Sequence, residues 1–136
     1  MANDLKIDSH LATAIIDAVA DLWDSGGTLK IYDDTDSIPS DADDAIGTNV
    51  LLVTITTPSP GFGAGAAGAV AKDGTWSGTV IAAGTANFYR LEVGTYCIQG
   101  TVGLTAGTFD LEFADITWSV DGTVTIDTFT LTMPES

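Results

Sequence analysis

Six aspartates crowd one short stretch, Asp33, Asp34, Asp36, Asp41, Asp43 and Asp44. Carboxylates so grouped could hold a hard cation, since calcium takes six to eight oxygen ligands. The spacing does not fit an EF-hand loop, which needs glycine at its sixth position and glutamate at its twelfth. A solvated acidic loop, an acidic contact surface for a basic partner and a structural calcium site are the three readings. A second stretch, Gly63-Ala64-Gly65-Ala66-Ala67-Gly68, has GxGxxG spacing, in which glycines let backbone N–H groups approach a pyrophosphate at the start of a helix. Here Gly74 follows after Ala69-Val70-Ala71-Lys72-Asp73, which leaves no room for that helix. The expectation is a flexible loop and no nucleotide cofactor.

Nucleophilic chemistry has little to work with. His10 is the one histidine and falls in the first turn of an expected helix, while Cys97 lies within Tyr96-Cys97-Ile98 and reads as a small buried strand residue. Gly74-Thr75-Trp76-Ser77-Gly78 is not the G-x-S-x-G elbow. Nineteen acids make some close carboxylate pairs inevitable in any fold, so counting acids carries no glycosidase signal. The reading is a protein that is not an enzyme, with no catalytic residue, cofactor or metal. Arg90 stands out as one of four Lys and Arg residues, placed mid-strand in Asn87-Phe88-Tyr89-Arg90-Leu91-Glu92. A cation there calls for a carboxylate or an aromatic face, within the chain or across a subunit contact. Trp23, Trp76, Trp118, Phe88, Tyr89, Phe109, Phe113 and Phe129 read mainly as core, with an exposed carbohydrate platform as the alternative.

The elements that must position these residues belong to a chain of 136 residues, 45% hydrophobic and 17% charged, with a formal net charge of −15. That is one domain with a real core, too apolar to be disordered. Scattered cations make nucleic acid and anionic membranes poor partners. A lone cysteine closes no intrachain disulfide, and no apolar run suggests a signal peptide or a membrane span, so a soluble protein is expected.

Leu11, Ile15, Ile16, Val19, Leu22 and Trp23 recur at helical spacing and predict one amphipathic helix over about residues 9–25, capped by Asp8 or Ser9 and ended by Gly26 or Gly27. Asp17 and Asp21 repel at one-turn spacing, so packing must carry the helix. Beyond Gly27, short runs rich in Val, Ile, Thr and aromatics alternate with turn residues. Strands are predicted over 28–33, 49–57, 75–82, 86–93, 96–102, 108–113, 116–120 and 123–133. In the last, the apolar parity changes between Ile126 and Phe129, which predicts a bulge near Asp127. With no second helix to cross over a parallel sheet, the fold class is mainly β: one antiparallel β-sandwich over 1–136, jelly-roll or immunoglobulin-like, with an N-terminal helix. Loops 33–44 and 57–68 read as contact surfaces or mobile lids.

Several of these pieces, in order, resemble small virion structural proteins of tailed bacteriophages. They are Gly26-Gly27-Thr28-Leu29-Lys30-Ile31-Tyr32, Leu51 to Thr56, Pro60-Gly61-Phe62-Gly63, Gly84-Thr85-Ala86-Asn87-Phe88-Tyr89-Arg90-Leu91, a Gln99-Gly100-Thr101-Val102-Gly103 turn and a closing strand from Val124 to Pro134. The Gly-Thr-Ala-x-aromatic-aromatic-Arg-Leu stretch is the most specific. The turn after it, usually longer, is cut here to Glu92-Val93-Gly94-Thr95. The resemblance implies a non-enzymatic β-sandwich of the virion, head decoration or cement-like, which bridges subunits of the major capsid protein or another virion protein and forms a homo-oligomer, a trimer. Tail, neck or fibre placement, and a carbohydrate-binding module, are the alternatives. The contacts expected under this reading are Asp33, Asp34, Asp36, Asp41, Asp43, Asp44, Pro58, Pro60, Phe62 and Arg90.

Overall fold

Asp8 starts helix α1 (Ser9–Asp21) by accepting a hydrogen bond from the Leu11 backbone N–H at 2.8 Å. In the computed structural model, which describes residues 6–133, the helix stops short of the predicted end. The amides of Leu22, Trp23 and Asp24 reach back three residues instead of four, tightening the last turn, and Gly26 then turns the chain at φ +83°. Ala12, Ile16, Ala20 and Trp23 are buried while Leu11 and Leu22 are exposed. The buried face is thus rotated toward the alanines.

Among the described residues ten strands follow, and the protein is mainly β. The central sheet runs β2 (Leu51–Thr56), β1 (Thr28–Asp33), β5 (Gly84–Val93), β6 (Tyr96–Leu104), β7 (Leu111–Phe113), and β8 (Thr117–Trp118) pairs the start of β5. β5 and β6 form a hairpin closed at Val93 and Tyr96, with Gly94 at φ +56°, so the shortened turn is still a tight hairpin. The sheet is mixed, because β7 runs parallel to β6, with Leu111 opposite Val102. The turn between them doubles back far enough to reach Val102, with Ala106 at φ +72°. The Phe109 ring lies so close to the Gly103 backbone that any side chain there would collide with it.

Two short ribbons complete the β structure: β3 (Ala69–Ala71) with β10 (Thr130–Thr132), and β4 (Trp76–Thr79) with β9 (Thr123–Ile126). The single closing strand expected over 123–133 is therefore two. The parity change arises because the chain leaves β4 after Ile126 and joins β3 at Thr130, and a bulge within one ladder does not describe it. Pro134, the last residue of the resemblance, lies outside the described residues. The alanine-rich β3 was not predicted, since small residues carry no β signal.

The main core lies between one face of the central sheet and a layer made by α1, the ribbons and Phe62. Leu29, Ile31, Val53, Ile55, Tyr89, Leu91 and Val102 come from the sheet; Ile16, Trp23, Phe62, Val70, Trp76, Val124, Ile126 and Phe129 face them. Phe62 is the hub of an aromatic cluster, 5.4 Å from Trp76, 6.1 Å from Phe129 and 6.2 Å from Trp23 between ring centres. No described helix is long and apolar enough to cross a membrane.

Candidate functional site

In β5 the four consecutive residues Phe88, Tyr89, Arg90 and Leu91 are all buried. Successive side chains of a strand point to opposite faces, so such a run means that both faces are covered. Tyr89 and Leu91 enter the main core, while Phe88 and Arg90 point the other way. The acidic loop covers Arg90, and Phe88 stacks on Tyr32.

Lys30, Arg90 and Gln99 stand opposite one another across β1, β5 and β6. Arg90 donates from Nε to Gln99 Oε1 at 3.0 Å and from one terminal nitrogen to the backbone carbonyls of Asp44 at 2.6 Å and Asp41 at 3.3 Å. Gln99 in turn donates to the Pro39 carbonyl at 2.8 Å. The expectation that Arg90 pairs with a carboxylate or an aromatic face is corrected: a planar fork of donors suits a bent loop that offers several carbonyls. The described ion pair on this face joins Lys30 Nζ to Glu92 at 2.9 Å, and that hydrogen bond holds the Lys30 ammonium above its ordinary range. Tyr32 and Phe88 stack 5.0 Å apart on the same face, both buried and outside the main core.

Two of the six aspartates hold the loop from within. Asp33 is buried and accepts from Val50 N–H at 2.7 Å, the Thr35 hydroxyl at 2.6 Å and Thr35 N–H at 3.2 Å. Burial pushes its carboxyl up, yet these three donors together outweigh it and hold it below the usual carboxylate range. Asp36 accepts from the backbone N–H groups of Ser37 and Thr48 and is likewise held low. Asn49, buried, accepts from Asp36 N–H and donates to the carbonyls of Ser37 and Ile46. The loop is a fixed cover on the sheet, stitched to it at both ends and in the middle. Asp34, Asp41, Asp43 and Asp44 stay exposed on it. Among the described residues no three His, Cys, Asp or Glu side chains gather as a metal would require.

The glycine-rich stretch is fixed as well. Ala66 and Ala69 exchange backbone hydrogen bonds across Ala67 and Gly68, both at positive φ (51° and 76°), which is a two-residue hairpin turn of type I′. Gly65 N–H donates to the Asp17 carboxylate at 2.7 Å and Gly68 N–H to the Thr13 hydroxyl at 2.8 Å. The amides that would cradle a phosphate are thus taken by α1, one by a carboxylate. The flexible loop is corrected to a strapped hairpin. Asp17, uncomfortable on the helix by charge alone, has this amide as its partner. Ser59 Oγ and Gly61 N–H tie the front of the loop to the carbonyls of Asp24 and Trp23.

The ten candidate contact residues do not form one surface. Phe62 is only 4% exposed and Arg90 7%, so both are corrected from contact residues to internal ones. The central sheet separates the acidic loop from Phe62, leaving Pro60 exposed and Pro58 half-buried on the far side. Trp23 and Trp76 are fully buried, half-buried Trp118 packs edge-on against Phe113, and Phe109 is exposed. Cys97 is half-buried in β6, and burial raises its thiol above the ordinary value, away from the reactive thiolate. Asn49 and Gln99 are the residues sequence reasoning missed. The signal for Gln99 is a lone amide opposite a lone arginine on neighbouring strands, legible only once the register is known. Compared with family models, with curated proteins and with solved structures, the chain matches none.

Proposed function

We propose that this chain is a non-enzymatic structural protein of a tailed-phage virion, a head decoration protein that bridges major capsid protein subunits. In this reading the fold is a β-sandwich: the central sheet is one layer, and the two ribbons with α1 form the other. The observation that carries the proposal is where the resembling segments fall. Gly26 to Tyr32, Leu51 to Thr56, Gly84 to Leu91 and Gln99 to Gly103 are β1, β2, β5 and β6, four adjacent strands of one sheet, and Phe62 of the Pro60 to Gly63 segment is the aromatic hub beneath it. Segments scattered along the chain thus make one structural unit. Its outer face presents a stiff acidic plate in which Asp34, Asp41, Asp43 and Asp44 are exposed, suited to a basic surface on a lattice. Many weak contacts on such a lattice add through avidity, and a homotrimer would fit its three-fold positions.

The test is quantitative mass spectrometry of purified virions, read as copies per major capsid protein. A decoration protein is expected at roughly hundreds of copies, set by lattice symmetry. A count of about six to a few tens moves it to the tail or neck, and absence from the particle overturns the virion reading.

A further inference from the structure

β7, β9 and β10 each have one strand partner among the described residues: β6, β4 and β3 respectively. Between them runs a furrow. One hollow of about 370 Å³ lies between Leu111 to Ala114 and Thr125 to Thr128. Two further hollows, of about 350 and 280 Å³, continue it past Asp110 and Phe129 to Ile98, Gln99 and Thr130 to Thr132. The walls are lined by consecutive residues, 111–114, 125–128 and 130–132. A cleft against the face of a strand meets every second residue, because side chains alternate; a cleft that meets consecutive residues runs along the edge. The furrow is therefore a seam between unpaired strand edges, where backbone N–H and C=O groups lack ladder partners.

The walls also carry a chemical preference. Asp110, Glu112 and Asp127 line the seam, while no lysine or arginine does. Half-buried Phe113 and Leu131 and exposed Phe109 supply apolar contact. A second copy of this chain is a poor occupant of these acidic walls, because it has four Lys and Arg against nineteen Asp and Glu and offers no basic, alternating segment. We propose that this seam is a strand-insertion site for an extended segment of a different protein, roughly five residues long, with apolar side chains on alternate positions and lysine or arginine at its flanks. The added strand supplies the missing ladder, the alternate side chains fill the hollows, and the flanking cations meet the acidic walls. The site stands whether or not the protein is part of a virion.

Random dodecapeptides selected on the immobilised full chain test this directly. Enriched sequences are expected to be net basic with alternating apolar residues. Bound peptide should slow hydrogen exchange at least tenfold at the outward amides within 111–113 and 130–132, those not bonded to β6 or β3. Affinity should fall at least tenfold for the double variant Asp127→Lys, Thr128→Lys, whose two exposed side chains make no described hydrogen bond, with an unchanged melting temperature showing that it folds. The proposal is overturned if no sequence is enriched, if the enriched peptides are not basic, if the double variant binds equally well, or if those amides are already protected in the free chain.

Discussion

Arg90 shows how one buried cation fixes a surface that it does not itself form. Its guanidinium donates to the carbonyls of Asp41 and Asp44 and the amide oxygen of Gln99, and not to the two aspartates' carboxylates, which stay free for solvent. Arg90→Ala removes three donors and leaves those carbonyls under a cover that no longer closes. A loss of roughly 2–4 kcal/mol in chemical denaturation is expected, together with new proteolytic cleavage between Asp34 and Thr48 under native conditions. Arg90→Lys keeps the charge without the fork, and an intermediate loss is expected; a lysine variant as stable as the parent would mean that charge alone holds the loop. Asp33 acts at the loop's other end. Its carboxyl is held below the usual range by three donors, so it contributes stability that is complete above its unfolded value, near pH 4, and is lost as pH falls through its lower folded value. Asp33→Asn, which cannot accept from all three donors, should cost roughly 1–3 kcal/mol at pH 7. The penalty should shrink as pH falls below the unfolded carboxyl value, near 4. Urea titrations at stepped pH check both parts, and a penalty that does not change with pH would place the cost in packing alone.

At the scale of elements, the glycine-rich hairpin and the loop before it belong to the fold. Phe62→Ala opens the aromatic hub and should cost about 3–5 kcal/mol, so a chain lacking residues 58–68 would not be a folded protein with one loop missing. Ala67 offers the opposite change: it occupies the first central position of the type I′ turn at φ +51° and is exposed. Asparagine adopts that backbone more readily, and Ala67→Asn should raise stability by about 0.5–1 kcal/mol; a loss would show that the hairpin is held by its straps to Thr13 and Asp17 and not by its turn. The same elements show what sequence alone reveals. Short runs rich in β-branched, aromatic and other apolar residues between turn residues, as in β1, β2, β5 and β6, were legible because residue type and burial agree there. Ala69 to Ala71 was not, since alanine has no β pattern, and the break at Asp127 to Phe129 was misread because parity alone does not distinguish a bulge from a change of partner. The acidic loop was legible as a loop, but its role as a cover was not: it depends on Arg90 and Gln99, which come together only through the register of β5 and β6, and on Asn49, whose amide ties the loop's own backbone.

For the whole molecule, the governing quantity is a formal charge of −15 on 136 residues, with an isoelectric point near 4.1. Self-repulsion of this size opposes the compact state more than the expanded one, so the folded chain takes up protons more readily as pH falls from neutrality, and stability rises toward acid on this account. Asp33 and Asp36, whose carboxyls are held low, act with the opposite sign and cause a loss below about pH 4. The two trends together place the maximum of thermal stability at roughly pH 4.5–6 in low salt, on the acid side of neutrality. Salt separates them. At about 10 mM salt the screening length is near 30 Å, comparable to the molecule, whereas at about 0.5 M it is only a few ångströms. Raising sodium chloride between those limits should lift the melting temperature at pH 7 by about 3–6 °C, as expected for roughly 1 kcal/mol of relieved repulsion, and should change it little near pH 4.5. Scanning calorimetry at the two salt levels and several pH values decides the matter. A melting temperature at pH 7 that falls with salt would mean that attractive pairs such as Lys30 with Glu92 outweigh the net charge, and the acidic surface would then have to be regarded as locally balanced.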